Sequence, residues 1–184
     1  MNNKAENIIL GIDPGTNLMG YGIISVKGKE TKLLNYGIIY LKKYKDHYLK
    51  LKNIFEKTLF LIDEYKPDEI SIEAPFQGVN PQSMLKLGRA QGVAMTAGLI
   101  RDIPIFEYSP RKIKQSVTGS GAAKKEQVAF MLEKILNFKS ESKHLDATDA
   151  IATAMCHFYN RNSQKSSSKS SWESFLKNNP DRIK

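Results

Sequence analysis

Ile8-Ile9-Leu10-Gly11-Ile12-Asp13-Pro14-Gly15-Thr16 is the stretch on which the fold turns. Four branched apolar residues in a run of five read as a buried strand, and Asp13-Pro14-Gly15 closes it in a turn. Proline disfavours the helical region for the residue before it, so Asp13 is expected to stay extended at the carboxyl end of the strand. An Asx-type turn toward Gly15 accounts for an aspartate there equally well.

Working outward, Tyr21–Val26 reads as a second strand, Lys27-Gly28-Lys29 as a hairpin turn and Leu33–Leu41 as a third strand. The chain therefore opens on an antiparallel meander. Apolar residues at helical spacing run from Tyr48 to Tyr65, and Pro67 ends that helix. Glu69–Glu73 is a short strand, followed by Ala74-Pro75-Phe76, and Pro81–Arg101 reads as a long helix. That helix carries Gly88, Ala90, Gly92, Ala94 and Ala97, a small-residue face suited to close packing on a sheet or on a partner subunit. Pro104–Tyr108 is a fifth strand. Ser109 caps a short helix from Pro110 to Val117, and Thr118–Gly121 is expected to be a flexible loop. Helices over Lys124–Leu136 and Asp146–Tyr159 follow. Three strands, helix, strand, helix, strand and then helices predict an α/β fold: a mixed five-stranded sheet, antiparallel meander plus parallel strands, with helices on both faces. Residues 1–160 are expected to form one domain and 161–184 a flexible tail rich in Ser, Lys and Asn. Trp172, Phe175 and Leu176 in that tail could form one amphipathic turn.

Composition narrows the function. Lys and Arg number 28 against 19 Asp and Glu, for a net charge of +9 and a pI near 9.5. Such an excess favours polyanions, nucleic acid before an acidic membrane. Cys156 is the only cysteine, which excludes an intrachain disulfide and a cysteine-based zinc site, and its apolar run suits a small buried hydrophobe. No window approaches a membrane span and no apolar leader is evident. The expectation is a soluble cytoplasmic protein without a membrane partner.

Four acids stand in contexts odd for solvated charge. Asp13 and Glu73 each end an apolar strand, and Asp146 and Asp149 open an apolar helix three residues apart, on one face. Helix capping is a sufficient reason for Asp146 taken alone. Glu73 is harder to explain away, because an acid after Ile-Ser-Ile meets apolar neighbours and needs a partner. If the fold gathers all four, cations must join them. An all-oxygen ligand set selects Mg²⁺, with Mn²⁺ as substitute, and up to two such ions suit in-line phosphodiester hydrolysis.

These motifs together resemble the RuvC family of crossover-junction (Holliday-junction) endodeoxyribonucleases. Gly11–Thr16 with Gly20-Tyr21-Gly22 is similar to that family's opening hairpin, and Ile72-Glu73 with Phe76 to its second catalytic strand. Leu85-Lys86-Leu87-Gly88-Arg89 with Gly92-Val93 resembles its long helix. Phe106-Glu107-Tyr108, Lys114-Gln115, Gly119, Gly121 and Lys125 resemble the following segments, and Asp146–Ala150 the closing motif. The resemblance runs from Ile8 to His157. It implies a ribonuclease-H-like fold and a homodimer that cuts two opposed strands of a four-way DNA junction symmetrically, leaving 5′-phosphate and 3′-hydroxyl ends. It further implies Asp13, Glu73, Asp146 and Asp149 as catalytic metal ligands, with Lys114 and Lys125 at the scissile phosphates. Phe76 would stack on bases, with Lys86 and Arg89 among the DNA contacts, and the RuvA–RuvB branch-migration complex would be a partner. Without the resemblance, Phe76 reads as a core aromatic anchoring its loop. His144 stands near Asp146 but off the motif and reads as a surface residue.

Three other readings compete. Asp13-Pro14-Gly15-Thr16 also fits the phosphate loop of sugar kinases and actin-like ATPases, but the chain is too short for their second lobe and no second loop is found. Another ribonuclease-H-fold nuclease acting on RNA or simpler DNA is the nearer alternative. A non-catalytic junction-binding module explains the charge but not four acids in apolar settings.

Overall fold

The computed structural model describes residues 6–75, 80–139 and 145–167, with the side chains of 145, 146 and 162–167 outside that description. Five strands form one sheet in the order β3-β2-β1-β4-β5. They are β1 (Asn7–Asp13), β2 (Leu18–Lys27), β3 (Glu30–Tyr40), β4 (Glu69–Glu73) and β5 (Ile105–Tyr108). β1 pairs antiparallel with β2, and β2 with β3, through a turn at Gly28, whose φ of 69° is left-handed. β1–β4 and β4–β5 are parallel. The mixed sheet expected from the element order is the one observed.

Strand alternation sorts the two faces. Leu10, Ile12, Ile70 and Ile72 point to one core, covered by α1 (His47–Tyr65) and α2 (Pro81–Leu99). Ile9, Ile24 and Val26 point to the other, covered by α3 (Pro110–Thr118), α4 (Lys125–Leu136) and α5 (Leu145–Ser167). By the same alternation Asp13, in step with Ile9 and Gly11, belongs to the α5 face. Glu73, in step with Glu69 and Ser71, belongs there too.

Two glycines let α5 lie directly on the sheet. A Cβ on Gly11 would stand 2.2 Å from the carbonyl oxygen of Ala150, and one on Gly22 would stand 2.8 Å from Ile151 Cα. No side chain larger than hydrogen fits at either position. Further along α5, fully buried His157 bonds Tyr108 Oη through Nδ1 (2.7 Å) and Glu69 Oε2 through Nε2 (3.1 Å), and stacks on Phe106. This network joins α5 to β4 and β5.

Several expectations change in detail. β2 and β3 begin three residues earlier than the apolar pattern suggests, because the ladder pairs Leu18 with Tyr40 at one end and Lys27 with Glu30 at the other. Leu41 lies beyond β3, buried in the core. α5 starts at Leu145, so Asp146 is its second residue and not the residue before it. α5 also runs on to Ser167, into the segment expected as tail, since adding residues to an existing helix costs little. The loop after α3 is hydrogen-bonded: Gly119, at φ 80°, caps α3 through its N–H to Gln115, and Thr118 Oγ1 donates to the Ser120 carbonyl (3.0 Å). The small-residue face of α2 divides. Ala90, Ala94, Ala97 and Gly98 are buried against the protein's own core, whereas Gly88 and Gly92 face open space. Phe76, His144, Trp172, Phe175 and Leu176 lie outside the described residues.

Candidate active site

The sheet register assembles the first two acids. β1 and β4 are neighbours with Ile12 opposite Ile72, so the next positions, Asp13 and Glu73, end their strands side by side. Both line a cleft of about 180 Å³ with Pro14, Ala74, Pro75 and Leu87. Crevices at the carboxyl ends of strands are where open α/β sheets place their ligands. The Asn17 carbonyl, which accepts from Leu41 and Lys42 N–H, ties down the loop that leaves Asp13. In that loop a Cβ on Gly15 would overlap the Leu18 carbonyl oxygen, so only glycine fits the turn.

α5 delivers the third acid. Asp149 precedes Ala150, whose carbonyl rests on Gly11, so the glycine that admits the helix also sets the height of Asp149 above the strand ends. Asp149 lies close enough to Glu73 to act on its charge. Burial and then Asp149 push the Glu73 carboxyl up to about 7, while Lys125 and Lys114 act in the opposite direction. Lys125, the first residue of α4, donates to Asp149 Oδ2 at 2.5 Å. Gln127 holds the start of that helix by accepting from Lys124 N–H (2.8 Å). Lys114 belongs to α3, whose start is fixed by Ser109 and Pro110.

Asp13, Glu73, Asp149, Lys114 and Lys125 therefore gather at one end of the molecule. Asp146 is three residues before Asp149 on the same helix, with its side chain outside the described residues. Among the described residues no group of three or more His, Cys, Asp or Glu is close enough to hold a metal ion. Lys86 and Arg89 are exposed on α2, flanking Leu87, which lines the cleft.

Sequence reading missed three supports. The internal strand glycines Gly11 and Gly22 were legible as sites of close backbone approach. Buried Gln91 donates from Nε2 to Glu107 Oε2 (2.8 Å) and toward the Glu73 carbonyl (3.4 Å), bracing the ends of β4 and β5. Tyr108–His157–Glu69 spans residues far apart in the chain, and no local pattern announces it. A larger cavity of about 500 Å³ opens beside α4, between Thr118 and Met131, and none of these acids lines it.

A mixed sheet in this order, sandwiched by helices and carrying acids at the ends of its first and fourth strands, is a ribonuclease-H-like fold of the nuclease class. The family model for crossover junction endodeoxyribonuclease RuvC matches residues 9–157. The chain is 59% identical over 179 residues to the crossover junction endodeoxyribonuclease RuvC of Cytophaga hutchinsonii, covering 97% of this chain and 89% of that one. The Christiangramia forsetii protein of the same name is 58% identical, with 98% and 95% covered. Among solved structures, Thermus thermophilus RuvC superposes with a TM-score of 0.76 at 27% identity, covering 85% of this chain and 96% of that one. The chain belongs to the RuvC family of crossover junction endodeoxyribonucleases, which are DNA hydrolases. Among the described residues no helix is long and apolar enough to cross a membrane.

Proposed function

We propose that the protein resolves four-way DNA junctions by metal-dependent hydrolysis, with Asp13, Glu73, Asp146 and Asp149 as metal ligands. The observation that carries the reading is the crowding of Glu73 and Asp149 at the strand ends, where burial holds the Glu73 carboxyl near 7. Acids packed so that one holds its proton to neutrality are short of positive charge, and the ammonium of Lys125 already answers part of that shortage. The donor set is all oxygen, which fits Mg²⁺ or Mn²⁺. When bound, divalent ions would supply Lewis-acid activation of water and stabilisation of the leaving oxygen. Lys114 and Lys125 are assigned to the scissile phosphate, where a fixed cation acts on charge that develops in the transition state. Products with 5′-phosphate and 3′-hydroxyl ends, and Phe76 stacking on bases at the junction centre, complete the reading.

A four-way junction has two symmetry-related strands to cut, which calls for a two-fold dimer. The outward stripe of α2 supports one: Leu85 and Leu99 are 64% and 60% exposed, with Gly88 and Gly92 open between them. A structure of T. thermophilus RuvC with a Holliday junction substrate has the same fold, and RuvA–RuvB is the proposed branch-migration partner. Residues 1–160 are taken as the nuclease domain. The test is incubation of a synthetic four-way junction and a matched linear duplex, each with Mg²⁺ and with chelator. Symmetric nicking of the junction alone, only with Mg²⁺, is expected. Equal cutting of both DNAs would favour a less selective nuclease.

A further inference from the structure

β3 is an outermost strand of the sheet, so one of its sides has no neighbouring strand. In an antiparallel pair, successive residues turn their N–H and C=O alternately toward the partner strand and away from it. Just past β3, Leu41 N–H reaches the Asn17 carbonyl on the β2 side (2.8 Å). Counting back by twos, Ile39 and Gly37 also turn to β2, so Ile38 and Tyr40 turn their peptide groups to the open edge. Tyr36 agrees with this phase, because its N–H donates to the Asn35 side chain (2.8 Å). Leu34 has no opposite number on β2, since the register shifts between Ile23 and Ile24. Such a bulge bends its strand, which limits the straight edge to residues 36–40.

That edge opens on a groove of about 280 Å³ between β3 and α1, lined by Ile38 and Tyr40 themselves. Tyr21, Leu61 and Phe60 line it too, and Phe60 and Tyr40 are 59% and 54% exposed. Gly37 lets the Tyr21 ring reach this edge, since a Cβ there would stand 2.7 Å from the Tyr21 hydroxyl. Lys43 and Lys57 line the same groove with each ammonium over an aromatic ring, 5.0 Å from the Tyr44 centroid and 5.7 Å from that of Phe60. Glu56, next to Lys57 in the chain, pairs with Lys52 (3.6 Å) and does not answer these two cations.

We propose that this groove binds an extended acidic segment of a partner protein. The segment adds as a strand at Ile38 and Tyr40, with apolar side chains against Phe60 and Tyr21 and carboxylates at Lys43 and Lys57. Open peptide groups select a peptide, because DNA has no ladder of N–H and C=O to offer them. Strand addition of this kind draws affinity from main-chain bonds and selectivity from the pockets that alternate side chains enter. The two lysines, on a chain that carries +9 overall, select acid over base. The proposal is independent of the chemistry assigned to the acids at the strand ends.

The probe is a fluorescent peptide of about six residues that alternates glutamate with valine and phenylalanine, titrated into the whole chain. Anisotropy should report saturable binding, and the backbone amide resonances of Ile38 and Tyr40 should shift. The same peptide N-methylated on alternate amides, and one with lysine in place of glutamate, should each bind at least about 10-fold more weakly. Lys43→Glu with Lys57→Glu should weaken the original peptide equally, and so should Phe60→Ala; all three side chains are exposed, so the melting temperature should hold. Absence of saturable binding at millimolar peptide overturns the proposal. Unshifted Ile38 and Tyr40 amides, or equal binding of the N-methylated or the lysine peptide, overturn it too. A four-way junction that displaces the peptide in chelator assigns the groove to DNA. A dimer that falls to monomer in the double lysine variant assigns it to a second copy of this chain. Either result also overturns the acidic partner.

Discussion

At Glu73, burial and the neighbouring Asp149 carboxylate hold the proton up to a pKa of about 7, against 4.5 for an ordinary glutamate. Between those values the folded protein binds more protons than the unfolded chain. The metal-free protein therefore loses stability as pH rises from about 4.5 to about 7, with nothing further from this group above that. Glu73→Gln should flatten that part of a plot of melting temperature against pH. The same competition makes Mg²⁺ affinity rise with pH through this window, since the ion and the proton claim one carboxylate; calorimetry in two buffers should register proton release on metal binding. Asp13→Asn, Glu73→Gln, Asp146→Asn and Asp149→Asn should each reduce cleavage at least about 100-fold while junction binding survives. Near-normal rates in any two would remove the four-acid site. Lys114→Ala and Lys125→Ala should lower the single-turnover rate more than the affinity, because their charge matters most in the transition state.

Helix placement on the sheet depends on hydrogen-sized side chains at two strand positions. Gly11→Ala would drive a methyl to 2.2 Å from the Ala150 carbonyl, and backbone cannot yield there without lifting α5. Overpacking of this kind costs ~1–3 kcal/mol, so the expected result is a clear fall in melting temperature. Because α5 carries Asp149, cleavage should fall further than the loss of folded protein explains. Gly92→Ala is the informative contrast: nothing lies within 4 Å of the added methyl, and alanine is better than glycine inside a helix by ~1 kcal/mol. A Gly11→Ala protein with the wild-type melting temperature and rate would show that α5 is held at its height by something other than this contact.

For the whole molecule the dimer is the consequence to measure. The outward stripe of α2 places Leu85 and Leu99 in solvent on either side of two glycines, a surface that a second copy would cover. Sedimentation at micromolar concentration should give a dimer, and Gly88→Arg with Gly92→Arg should give a folded monomer. That monomer should nick one strand of a junction without coordinated cutting of the opposite strand. A wild-type monomer, both free and with junction bound, would count against two-fold action.

The local signals in this chain were strong enough to determine its elements and the mixed character of its sheet. Apolar runs ended by Asp13 and Glu73, helical spacing in α1 and the cap at Ser109 each depend on neighbours a few residues away, so they can be read without the fold. The charge of +9 and the types of the four acids were equally local. Long-range geometry had to come from the tertiary structure. Only the strand register shows that Asp13 and Glu73 stand side by side. Only the contact of Ala150 with Gly11 explains how Asp149, more than a hundred residues later in the chain, reaches them. The division of α2 into a buried alanine face and an open glycine face also waited for the fold, because a small residue permits close approach without saying what approaches. The same holds for Tyr108–His157–Glu69, which joins elements that the sequence separates through distances that exist only once the sheet has formed.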